Sequence, residues 1–415
     1  MFRFRSLFFA GLACAGAAGI AADNAGDIAL SKLRANAAAN VSDERGVACM
    51  ESVDRIRYAP RISNRNATCG ELMTAADRKN SPQGAMQWRS RLRLDVTAND
   101  TGEQFALTDA SRFERSDVGG LLSTATAGSG EFGAFLRDLM SGTGQQFQSR
   151  GPEDTALGRL LAFGFNIPAD KSHFSFAAGG GTQPVAIHGN IYALSTSSEL
   201  KRLTVQAENA GNACRVQYAI DYTPTRASGA ETILPRSATM DAVLKDGTEL
   251  HEETYYSGCR REMASNNRDP AGPARSPLPA GVKFRVRFEP SIDSATAATG
   301  DPVIGVIRTT VKDKRSGLIV HAGDRLHGRI ALIEETLSPN PVWNIAIAFE
   351  TIERGVGEHG ISQGVEQPVS VAPLDDAAFG PGDLVKLRPA NGAYYVFPGK
   401  TTVLDQNFET EWETR

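Results

Sequence analysis

Apolar and polar residues alternate along most of this chain with a period of two. In Arg91 to Val96, Leu92, Leu94 and Val96 fall on one side and Arg91, Arg93 and Asp95 on the other. Val185, Ile187, Gly189, Ile191 and Ala193 form one face of a second segment, with His188, Asn190 and Tyr192 on its reverse. Leu203, Val205 and Ala207 continue the pattern, as do Val216, Tyr218, Ile220 and Tyr222. Strict alternation puts successive side chains on opposite faces of a half-buried antiparallel sheet. Asp246-Gly247, between Ala238 to Leu244 and Thr248 to Tyr256, predicts a two-residue hairpin turn. Helix is scarce: Phe132, Phe135, Leu136, Leu139 and Met140 make one stripe over Glu131 to Met140, with Gly142 as a stop, and a weaker helix is expected over Asp27 to Arg34. The Gly-, Ser- and Thr-rich stretches 119–130 and 141–154 read as loop.

The alternation breaks at Asn266-Asn267-Arg268-Asp269-Pro270, followed by Pro273, Pro277 and Pro279. A polar, proline-rich segment without periodicity reads as a linker. Beyond it, Val282, Phe284, Val286 and Phe288 alternate with Lys283, Arg285, Arg287 and Glu289, and further strands are expected over 302–311, 318–321, 326–333, 342–352 and 383–387. The predicted class is therefore mainly β: an antiparallel sheet domain over 23–265 with a few short helices, a linker over 266–280, and a small β-barrel or sandwich over 281–415. At 415 residues, two domains are the default.

The N-terminus differs from everything after it. Arg3 and Arg5 precede an apolar, small-residue run from Leu7 to Ile20, and Ala21-Ala22 precede Asp23. This is the pattern of a secretory signal peptide over 1–22, cleaved between Ala17 and Ala22, with an uncleaved anchor as the competing reading. Cys14 invites a lipoprotein reading, but Gly11 stands where leucine is needed. The remaining chain has no apolar run long enough to span a bilayer as a helix, so an exported protein of periplasm or cell surface is expected. A formal charge of -4, from 44 basic and 48 acidic residues, gives nucleic acid no bulk attraction.

Export changes the meaning of the cysteines. Without Cys14 an even four remain, Cys49, Cys69, Cys214 and Cys259, which in an oxidising compartment read as two disulfides. Three connectivities are possible; the sequential one, Cys49 with Cys69 and Cys214 with Cys259, is favoured because each pair lies in one local segment. A zinc site is the alternative, without a CxxC knuckle or a histidine at ligand spacing to support it.

Catalytic chemistry is hard to find. His321 and His327 flank a turn holding Asp324 and could meet across it, yet spacing supplies no third ligand. Glu252 with Glu253 and Glu334 with Glu335 are adjacent in strand-like sequence and point to opposite faces, so neither pair serves one substrate. Gly399-Lys400-Thr401 resembles the tail of a phosphate loop, but Tyr394 occupies the required glycine position. Asn66-Ala67-Thr68 and Asn99-Asp100-Thr101 match glycosylation sequons of little meaning here. No catalytic residue, metal or cofactor is expected. What remains is an apolar sheet face under a short helix, which is either a container for an apolar ligand or plain core.

Two resemblances add to this. Gly189 to Leu194, a turn, then Leu200 to Val205 looks like the paired strands of the outer-membrane lipoprotein carrier (LolA-like) fold, an antiparallel half-barrel that holds acyl chains under a helical lid. The order Ala48-Cys49-Met50-Glu51, Gly130-Glu131-Phe132-Gly133, this strand pair and Leu234-Pro235 resembles a family of exported bacterial proteins of unknown function. The likeness spans roughly 45–262 and implies a fold, with lipid or lipoprotein as an expected ligand. Ile292-Asp293-Ser294, Gly300-Asp301-Pro302-Val303 and Ala322 to Ile330 are similar to the β-barrel of TrbI-type channel components, which implies a small barrel and an envelope setting but no channel; contact with another envelope component is the expected use of this domain. A structural or assembly factor without a ligand is the alternative function.

Overall fold

The computed structural model describes residues 17–43, 46–62, 64, 66–78, 84–99, 102–108, 113, 130–141, 146–172, 174, 176, 184–227, 230–261, 278–312, 319–337, 340–354, 365–374, 392–405 and 407–415. The expected signal segment before Ala17, most of the proline-rich linker and the expected strand at 383–387 lie outside them.

The protein is mainly β. In its first half, α1 (Ala17–Asp43), β1 (Val47–Tyr58), α2 (Cys69–Asp77), β2 (Met86–Asn99), β3 (Gly102–Leu107) and α3 (Ala134–Ser141) precede a run of seven strands. These are β4 (Gln146–Thr155), β5 (Gly158–Ile167), β6 (Ile187–Ala193), β7 (Leu200–Glu208), β8 (Ala213–Ala227), β9 (Ala230–Leu244) and β10 (Glu249–Arg261). They form an antiparallel meander in chain order. The chain's first strand then joins its last edge: β10 pairs with β1, β1 with β2 and β2 with β3.

Period two fixes which side chains share a face. Ile191, Leu203, Val205, Val216, Tyr218, Ile220 and Met240 all point inward, where α1 lays Leu33 and Ala37 and α3 lays Phe135, Leu136 and Leu139 onto them. Phe135 packs against Tyr218 and Phe174 with ring centroids 5.0 and 5.4 Å apart. The inner face is thus filled by the protein's own helices, as plain core would be. At roughly 1.5–3 kcal/mol per buried large apolar side chain, this layer is a principal source of stability.

Several local expectations change. The weak helix over Asp27 to Arg34 is the middle of the alanine-rich α1, whose composition favours helix throughout. Residues 146–155, expected as loop, form β4, because pairing with β5 supplies backbone bonds that composition does not advertise. The Asp246-Gly247 turn is a three-residue loop: Leu244 and Thr248 bond across it (2.9 Å) and Gly247 takes φ +83°. That left-handed position suits glycine alone at low cost.

The second half holds β11 (Lys283–Glu289), β12 (Ile292–Asp293), β13 (Pro302–Ile307), β14 (Val311–Lys312), β15 (Ile319–Val320), β16 (Arg325–Thr336) and β17 (Val342–Arg354). Then come β18 (Val365–Pro368), β19 (Val371–Pro373), β20 (Gly392–Pro398), β21 (Val403–Leu404) and β22 (Glu409–Thr414). The order β19-β22-β11-β13-β16-β17 continues to β18 and β20, all antiparallel. It curls around its own core, in which Trp412 meets Phe349 edge-on at 4.8 Å. Among the described residues its edges β19 and β20 are not hydrogen-bonded, so the sheet is not closed.

The halves share a strand. Trp88, Arg89 and Ser90 of β2 pair with Thr336, Glu335 and Glu334 of β16, and Leu92 bridges Thr299. Arg89 binds the buried Glu335, Arg93 binds Asp301, and Arg329 donates to the Thr108 carbonyl. At Gly300 (φ +99°) a Cβ would stand 2.2 Å from the Arg93 carbonyl oxygen, so this crossing admits no side chain.

Candidate functional site

The cysteines are joined Cys49–Cys259 and Cys69–Cys214, not sequentially. Proximity along the chain misleads because β10 returns beside β1: Ala48 faces Arg260 and Met50 faces Ser257, placing Cys49 and Cys259 side by side. Cys69 opens α2 and ties it to β8 over the outer-face cluster of Leu72, Cys214 and Val243. Thr68, read above as part of a sequon, is the N-cap of α2: its hydroxyl accepts the Glu71 N–H (3.3 Å), and Glu71 accepts the Thr68 N–H (2.8 Å).

The described histidines do not converge. Asp324 is buried and accepts the His321 backbone N–H (2.8 Å), while the His327 ring lies 3.2 Å from Glu353. Among the described residues no three His, Cys, Asp or Glu side chains could hold a metal ion. His188 lies on the outer face, beside Asn190 and Tyr192 in a polar hollow of about 980 Å³. Glu252 points inward and Glu253 outward, as adjacency requires.

The inner face carries a feature that no sequence motif marks. On β1, Cys49, Glu51, Val53 and Arg55 share the inward phase, and all are buried. Glu252 on β10 sits directly across from Arg55, and Tyr256 across from Glu51. Glu103 on β3 and Glu131, in the turn before α3, complete a group of four carboxyls that are each at most 6 % exposed. Among the described residues only Arg55 accompanies them as a buried cation on this face, and it donates to Ser90 at 3.0 and 3.2 Å. The apolar cluster under the helices borders one side; Val47, Val53, Leu94, Val96 and Phe105 border the other.

Glu103 has a defined task. It accepts the backbone N–H groups of Gly130 (2.7 Å), Gly133 (3.0 Å) and Ala134 (3.3 Å). It thereby caps α3 from a distant strand. This is why the helix begins at Ala134 and not at Glu131 as the stripe predicted. The other groups are not so served. Among the described residues, Glu51 Oε2, Arg55 Nη1 and the Tyr218 hydroxyl have no hydrogen-bond partner. Buried polar atoms of this kind are uncommon and costly.

Burial and mutual repulsion shift Glu51, Glu103 and Glu131 toward the protonated form. Removal from water, then the charges of Glu103 and Glu252, push Glu51 up to about 8. Burial, Glu103 and Glu51 drive Glu131 well above the carboxylate range, and burial raises Glu103 against its N–H bonds. Burial lowers Arg55, against the pull of Glu252 and Glu334. A raised folded-state pKa means stability that is fully present below the unfolded value and is lost as pH rises. For Glu51 the loss runs between 4.5 and about 8, at up to ~1.4 kcal/mol per pH unit. The melting temperature should fall across this window and fall less in Glu51→Gln. Superposable curves for the two proteins would mean that Glu51 is already ionised at neutral pH.

No protein-family model matches the chain, and no curated protein matches it. Three solved structures do. A DUF1329 family protein from Desulfovibrio piger shares 10% identity at a TM-score of 0.25, covering 59% of this chain and 95% of that one. A LolA superfamily protein from Nitrosomonas europaea gives 10% and 0.25, covering 57% and 95%. A putative outer membrane lipoprotein-sorting protein domain from Vibrio parahaemolyticus gives 9% and 0.26, covering 58% and 96%. These are neighbours of the kind the strand-pair resemblance named. At such TM-scores they transfer no ligand or activity; what the inner face can hold follows from its own side chains.

Proposed function

We propose that this is an exported, non-catalytic binding protein whose inner sheet face takes an apolar or amphiphilic ligand beneath α1 and α3. The supporting observation is the composition of that face: an aromatic and aliphatic floor continues into buried polar groups whose hydrogen bonds are incomplete. A purely structural core has no reason to retain Glu51 Oε2 and the Tyr218 hydroxyl unpaired. The disulfides support export. Among the described residues no helix is long and apolar enough to cross a membrane.

Binding would require the two helices to shift. Displacing Leu33, Phe135, Leu136 and Leu139 costs burial of roughly 1.5–3 kcal/mol each, and a ligand chain returns about 0.8 kcal/mol per methylene, so a chain of about a dozen carbons is the matching size. Native mass spectrometry of the protein taken from an exporting host should show a bound lipid. The apolar dye N-phenyl-1-naphthylamine should gain fluorescence saturably at one site, and a competing acyl chain should displace it. A second reading, a structural or assembly factor of the envelope with no ligand, is favoured by the filled inner face. Absence of both adduct and dye binding would select it and end the first.

A further inference from the structure

We propose that the polar end of this inner face is a receptor for a positively charged head group, a primary ammonium carried by the ligand, held by Glu51 and Glu131 with the Tyr218 hydroxyl. The inference rests on the binding reading above and specifies its ligand.

Three observations carry it. Among the described residues the buried charged groups on this face are unequal, four carboxyls against the single guanidinium of Arg55. Their duties also differ: Glu103 is committed to the backbone of 130–134 and Glu252 lies opposite Arg55, whereas Glu51 keeps an oxygen without a partner and the Glu131 carboxyl bonds only locally, to its own backbone N–H. Finally, the unpartnered atoms include two acceptors, Glu51 Oε2 and the Tyr218 oxygen, each on a side chain more than nine-tenths buried. Tyr218 packs on Phe135 at the start of α3 with ring centroids 5.0 Å apart, and Tyr256, directly across from Glu51, packs on Phe132 at 5.4 Å, so Tyr218 and Glu51 both border the turn that carries Glu131. An ammonium offers three donors and no acceptor, the complement of a carboxylate pair and a phenol oxygen. An anionic head would face four carboxyls with one arginine, and a neutral alcohol could satisfy one of these atoms at most.

The charge balance makes the site self-adjusting. Without ligand, burial and the surrounding groups, Glu103 on β3, Glu252 and Tyr256 on β10 and Glu131 before α3, favour the protonated form of Glu51. An arriving ammonium stabilises its carboxylate, and the proton leaves to solvent. One cation enters and about one proton departs, so the interior gains an ion pair and no net charge.

The test uses the full chain and three probes with the same tail, dodecylamine, dodecanol and dodecanoate, below their micellar concentrations at pH 7. Dodecylamine should bind at least tenfold more tightly than dodecanol, with dodecanoate weakest. Titration calorimetry in buffers of different ionisation heat should show proton release with the amine and none with the alcohol. Glu51→Gln and Glu131→Gln, which preserve side-chain shape, should each lower amine affinity about tenfold and change dodecanol affinity far less. Equal binding of amine and alcohol, or amine binding unmoved in both variants, would overturn the head-group assignment while leaving the apolar chamber standing. If none of the three binds, the chamber falls and the receptor with it.

Discussion

Replacing Cys49 and Cys259 by serine should destabilise the protein by about 4–5 kcal/mol. The bond closes a sequence separation of 210 residues, and the entropy that a cross-link removes from the unfolded chain grows with loop length. Its position adds to the effect. Cys49 and Cys259 fasten β1 to β10, the seam at which the strand that begins the sheet meets the end of the meander. Denaturant unfolding under non-reducing conditions gives the number. Peptide mapping before reduction gives the pairing, with fragments linking 49 to 259 and 69 to 214. Recovery of a fragment linking 49 to 69 would refute the seam. The Cys69–Cys214 bond encloses a separation of 145 residues and attaches the peripheral α2, so its loss should cost less.

Glu103→Ala should cost about 3–5 kcal/mol, a large effect for one surface-sized side chain. Its carboxylate serves three backbone donors of residues 130–134, and none of these can turn to water without unpacking α3. Glu103→Gln retains a single acceptor oxygen and should fall between wild type and alanine. The consequence should be local as well as global. Amide hydrogens of α3 should exchange faster in Glu103→Ala, because Phe135, Leu136 and Leu139 are oriented by the turn that Glu103 holds. If α3 exchange is unchanged, the helix is held by its apolar face alone. The same variant bears on function: a loosened α3 should bind N-phenyl-1-naphthylamine more readily if this helix covers the ligand.

The strands of the meander were legible wherever one face met the core and the other met water, as in 187–193, 200–208 and 213–227. Where the alternation carried another message it was missed. β4 is largely exposed, so its residues show no apolar phase. β1 reads Cys-Met-Glu-Ser-Val-Asp-Arg, and its inward phase includes Glu51 and Arg55. An apolar/polar test discards such a segment because the polar members occupy core positions. Those misfit residues are the candidate site. The signal was present as a buried-phase position occupied by a charge, but it becomes visible only when the phase is already known. The Thr68-Cys69-Gly70-Glu71 capping box was a more direct signal for α2, obscured by reading Thr68 as part of a sequon.

The sequence by itself determined the mainly β class, the two faces of the central strands, the apolar stripe of α3 and an even set of cysteines. Each follows from local periodicity or from a count, which a linear chain contains in full. Tertiary structure decided the rest. It set β1 beside β10 and so the disulfide pairing, and it ran β2 into both sheets through Ser90 and Glu334. It placed the Glu103 carboxylate on the start of a helix some 30 residues away. It also gathered Glu51, Glu103, Glu131 and Glu252 from four separate segments into one buried group. Such contacts depend on which strands are neighbours, and the free energy that selects neighbours comes from burial summed over the whole sheet, not from any residue's immediate sequence.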